Sequence, residues 1–113
     1  MSVIHMGMRA YAAVSAKTTT NQQVADAFHL VISRLEVARD SGPMERSRAL
    51  ADNRRFWADV SDLLSDPRSW LPKETRAGIV SIGPTVQREI NSVTPDFDLL
   101  ITINKQIASG LAG

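Results

Sequence analysis

Asn53-Arg54-Arg55-Phe56-Trp57-Ala58-Asp59-Val60-Ser61-Asp62-Leu63-Leu64-Ser65-Asp66-Pro67-Arg68-Ser69-Trp70-Leu71 holds both tryptophans of the chain, together with a helix, its stop signal and the approach to the next helix. At about 100° per residue, Leu50, Asn53, Phe56, Trp57, Val60, Leu63 and Leu64 fall on one broad apolar stripe. Arg54, Arg55, Ala58, Asp59, Ser61 and Asp62 fall on the other side. A stripe that wide suits a helix touching two neighbours, as in a bundle, better than the narrow seam of a two-stranded coiled coil.

The flanking sequence repeats the pattern. Thr20 or Asn21 can cap a first long helix running to about Asp40, with Val24, Ala27, Phe28, Val31, Leu35 and Ala38 inward at spacings of three and four. Ser41-Gly42-Pro43 closes it and opens the second helix, about Met44 to Ser65, because proline suits a first turn and glycine a helix end. Asp66-Pro67 ends that helix, since the residue before proline is driven out of the α region. Pro72 opens a third helix carrying Ala77, Ile79, Val80, Ile82, Val86, Ile90 and Val93, with Glu74 in its first turn. Gly83-Pro84 in its middle is expected to kink or split it, because proline deletes the bond to the Val80 carbonyl. Asp96 caps a last helix from Phe97 to about Ser109, with Leu100, Ile103, Ile107 and Leu111 on one side and Gly110 as the stop.

The expected fold is therefore all-α: a small antiparallel bundle of four main helices in one domain over residues 1–113. Its core is built on Phe28, Leu35, Phe56, Trp57, Val60, Leu64, Ile82, Val86, Leu100, Ile103 and Ile107. Residues 1–20 form an N-terminal segment, read as a short helix from about Ile4 to Ser15 or a mobile tail. Asn53 and Asn104 fall inside apolar stripes, and each is expected to find a hydrogen-bond partner because an unpaired buried amide costs about 1–3 kcal/mol.

Composition excludes several functions. The chain has no cysteine, so disulfides and thiolate metal sites are out. His5 and His29 are far apart, without a ligand partner at metal-binding spacing, and no glycine-rich phosphate loop follows a strand. Asp59, Asp62 and Asp66 read as a solvated face rather than an acid–base pair, so neither catalysis nor a cofactor is expected. No apolar run approaches the roughly 20 residues of a membrane span, and no secretion signal is read at the start, which makes the cytoplasm the default. Arg46, Arg48, Arg54 and Arg55 are the best case for RNA, but Glu45, Asp52, Asp59 and Asp62 interleave with them, and 13 basic against 12 acidic side chains give a net charge of only +1.

Taken in order, Ala10-Tyr11-Ala12, Phe56-Trp57 with Asp62-Leu63, Leu71-Pro72-Lys73-Glu74, Ile79-Val80-Ser81-Ile82-Gly83 and the tail from Ile103 to Leu111 resemble the FlaF-type flagellar biosynthesis regulators over nearly the whole chain. Pro84 departs from the bulky apolar residue that usually follows Ser-Ile-Gly in that family, and Asn91 to Asp96 is less basic than its pattern. The resemblance implies a small cytoplasmic protein of flagellum assembly that engages newly made flagellin and couples its synthesis to secretion. Shielding flagellin's amphipathic terminal helices in a groove would be the mode. RNA contact, or an adaptor role toward another flagellar regulator, remains as the alternative. Candidate partner-binding residues are Met6 and Met8, whose thioethers suit adaptable contacts, with Tyr11 beside them, and Trp70 in the linker, with a groove opened by the third helix.

Overall fold

In the computed structural model, which describes residues 20–66 and 71–112, every regular element is a helix: α1 (Thr20–Arg39), α2 (Pro43–Ser65), α3 (Lys73–Ile90) and α4 (Phe97–Ala112). Side-chain pairs fix their directions. Arg34 meets Asp52 and Phe28 meets Phe56, so α1 and α2 run antiparallel. The Arg54 carbonyl accepts from Gln87 Nε2, and Gly83 lies beside Trp57 and Ser61, which sets α3 antiparallel to α2. Arg39 with Asp98 and Lys105 with Glu36 run α4 back along α1. The four helices thus close a ring in which each packs on two others, α1 against α2 and α4, and α3 against α2 and α4.

The core sits where the α1 and α2 stripes meet. Phe28 stands edge-on to both Phe56 and Trp57, with ring centroids 4.7 and 5.7 Å apart, the arrangement the ring quadrupoles favour. Leu35, Val60, Val86 and Leu100 are buried with them, while Ile82, Ile103 and Ile107 are partly buried against this cluster. The Leu64 side chain lies outside the described residues, as does the candidate N-terminal helix. On α4 the inward line is Phe97, Leu100, Ile101, Asn104, Ala108 and Leu111, which keeps Leu100 and Leu111 of the expected line and turns Ile103 and Ile107 to its flank. That rotation puts Asn104 at the centre: its Oδ1 accepts from Trp57 Nε1 at 3.0 Å, and its Nδ2 donates to the Leu100 carbonyl at 2.8 Å. Asn53 has no such arrangement. It is 0% exposed, and neither of its side-chain polar atoms has a hydrogen-bond partner, against the expectation from sequence.

The helix ends follow local chemistry with three corrections. Gly42 is the extended N-cap of α2 with Pro43 in its first turn, and Asp96 Oδ1 caps α4 by accepting from the Leu99 N–H at 3.1 Å. Pro72 is the N-cap of α3 rather than its first helical residue. Val93 falls outside α3, which ends at Ile90, and is 99% exposed. There Glu89 ties the turn, accepting from the Ser92 hydroxyl and the Asp96 N–H. Gly110 does not stop α4, because Leu111 beyond it is buried in the core and draws the last turn on.

Pro84 does not split α3, which is helical from Lys73 to Ile90. Pro84 and Val80 lie on its exposed side, so the carbonyl deprived of its amide faces water, while Gly83 and Val86 hold the buried side. A Cβ at Gly83 would meet Ser61 Oγ at 3.7 Å and Trp57 Cε3 at 3.8 Å, ordinary contact distances. Gly83→Ala gains about 0.5–1 kcal/mol of helix propensity but sets a Cβ against the Pro84 ring, which disfavours the α region for the residue before it, so the substitution is expected to lower stability by about 1 kcal/mol. A rise in the urea midpoint would show that the Pro84 ring clears the added methyl.

Candidate functional site

The α1–α2 pair leaves a hollow on its outer side, opposite the aromatic core. Its α1 wall is Ser33, Arg34, Val37 and Ala38, its α2 wall is Glu45, Arg48, Ala49 and Asp52, and its volume is about 300 Å³. The cause is local. Ala38 and Ala49 are both buried and both small, so two backbones that meet there leave the space a larger pair would fill. One end is crossed by the Arg34–Asp52 ion pair at 3.3 Å. At the other, the last turn of α1 is pinned, with the Ser41 hydroxyl donating to the Val37 carbonyl at 2.8 Å and the Ser41 N–H to the Ala38 carbonyl at 3.0 Å.

Val37 stays 71% exposed on this ordered turn, and Met44, one helical turn from Arg48 on α2, is 63% exposed. The wall residues span about two helical turns on each side, roughly 10 Å at 1.5 Å per residue. Of the charged residues in this trough, Arg34 and Asp52 pair with each other and Glu45 and Arg48 are exposed, while His29, Asp59, Asp62 and Asp66 do not line it. No group of three His, Asp or Glu among the described residues could hold a metal ion, and no described helix is long and apolar enough to cross a membrane.

The four arginines of the RNA reading do not share a face. Arg46 lies over the Phe97 ring at 4.6 Å, and Arg54 Nε donates to Asn91 Oδ1 at 3.2 Å, whereas Arg48 lines the hollow. Two of the four are thus spent on holding α4 and α3 to α2. A third arginine outside that set, Arg39, is held above its usual pKa by its hydrogen bond to Asp98 and by the charge of Asp40.

Met6, Met8, Tyr11 and Trp70 lie outside the described residues. The hollow between the first and second helices is separate from the groove expected beside the third. The signal for it was present in the sequence as Ala38 and Ala49 near the two ends of one short turn, with Val37 beside them. Read only as part of an inward stripe, Ala38 did not suggest a gap.

The described residues thus form an all-α bundle of four helices with an open trough between the first two. A family model described as flagellar protein FlaF matches residues 7–111. The chain belongs to the FlaF family of flagellar proteins. No curated protein and no solved structure matches it.

Proposed function

We propose that this protein is a non-enzymatic flagellar regulator that binds newly made flagellin, shields its terminal helices and couples its synthesis to export from the cytoplasm. The observation that carries the reading is the FlaF family match over nearly the whole chain. The trough between α1 and α2 supports it, because a client whose amphipathic ends are unpolymerised needs an apolar surface of helical width. The dispersal of Arg46, Arg48 and Arg54 onto different neighbours weighs against RNA, which a continuous basic face would serve better.

The test is co-purification with flagellin, followed by mass determination of the complex. Retention should survive moderate salt, since burial of apolar surface dominates the contact. A complex that dissolves steeply with salt and is replaced by a shift of flagellin RNA would overturn the reading. Recovery of another flagellar regulator in place of flagellin would overturn it in favour of an adaptor.

A further inference from the structure

We propose that the α1–α2 trough seats a single amphipathic helix that lays its apolar side over Val37 and carries a carboxylate beside that side for Arg48. The occupant rests on the flagellin reading above; the trough and its chemistry rest on the geometry. The floor is apolar, through Val37, Ala38 and Ala49, and its length of about two turns matches one helix laid along it.

Charge selects among amphipathic helices. Arg34 is already paired with Asp52 across one end. Glu45 has its own place in the first turn of α2, where the helix dipole favours a negative charge, and its Oε2 lies 3.2 Å from where a Cβ on the N-cap Gly42 would stand. Arg48 is different. It is exposed, lines the hollow and makes no ion pair among the described residues. A cation at the margin of an apolar trough steers and orients an incoming helix by its acidic side chain, and it penalises a helix with lysine at that position.

The experiment is calorimetric titration of flagellin with the full chain and four variants. Val37 and Arg48 are exposed, so Val37→Asp, Arg48→Glu and Arg48→Lys leave the core untouched, which thermal melting checks directly. Val80→Asp, on the exposed side of α3, is the control. Val37→Asp and Arg48→Glu are each expected to weaken binding by about tenfold or more, with Arg48→Lys and Val80→Asp within about threefold of wild type. If wild type binds flagellin and either Val37→Asp or Arg48→Glu binds as tightly, the trough is the wrong surface and the flagellin reading stands. If wild type does not bind flagellin, that reading fails and takes this occupant with it.

Discussion

Trp57→Ala is expected to lower the free energy of unfolding by about 4–5 kcal/mol, out of a total of roughly 5–15 for a domain of this kind. Two losses add. The indole is 0% exposed and stands edge-on to Phe28 at 5.7 Å, so its removal leaves a cavity at the meeting point of α1 and α2. It is also the donor to Asn104 Oδ1, and without it a buried acceptor on α4 is orphaned. Trp57→Phe separates the two contributions. It keeps most of the apolar volume and loses the N–H, so it should cost about 1–3 kcal/mol. Asn104→Leu on the Trp57→Phe background should then recover part of that cost, because both ends of the lost bond become apolar. Urea denaturation of the series decides. A Trp57→Ala midpoint close to wild type would mean that the aromatic cluster is not the core.

The same numbers bear on how function is mapped. A chain that loses most of its stability loses its flagellar activity whatever its binding surface is, so Trp57 variants cannot locate a site. Val37 and Arg48 can, because they stand outside the ring of helices that Trp57 holds closed. The trough is a consequence of two alanines at the α1–α2 crossing rather than of an opening in the core. Val37 and Arg48 are exposed, so the fold and the proposed docking surface are separable by substitution.

Periodicity made α1 and α2 legible because each carries one long stripe, from Val24 to Ala38 and from Leu50 to Leu64 with Asn53 its one polar member, and each ends at glycine or proline chemistry that has a single local reading. It failed where tertiary packing outweighs a local signal. Gly110 is a good stop by propensity, but burial of Leu111 rewards another turn. Pro84 is a good helix breaker, but its lost bond lies on the wet side while Ile79, Gly83 and Val86 hold the dry one. The rotation of α4 was hidden because Ile101 and Ile103 are equally apolar, and only the Trp57 N–H, from another helix, makes Asn104 the central residue. The trough was hidden for a related reason. A gap between helices depends on which small residues coincide across the crossing, and one helix's stripe carries no record of its neighbour's register.

Asn53→Leu is expected to stabilise the protein by about 2 kcal/mol, the opposite sign to the usual core substitution. Both asparagines are 0% exposed and both lie on the inward line of a helix, so simple burial treats them alike. Their bonding does not. Asn104 uses both ends of its amide, whereas both ends of Asn53 are unbonded, and each orphaned polar group costs about 1–3 kcal/mol. Leucine is close to asparagine in shape and removes those orphans, against about 1 kcal/mol for the extra volume it brings to a filled site. Asn104→Leu carries the contrary expectation, a loss of about 1–3 kcal/mol, because it leaves the Trp57 N–H buried without an acceptor. Thermal melting reads both, with shifts of about 10 °C upward for Asn53→Leu and downward for Asn104→Leu in a domain this small. Shifts of the same sign would show that the two amides are bonded alike. Opposite signs would show that α2 keeps a polar group in its core at a cost to stability, so that residue 53 was not chosen for the folded state alone.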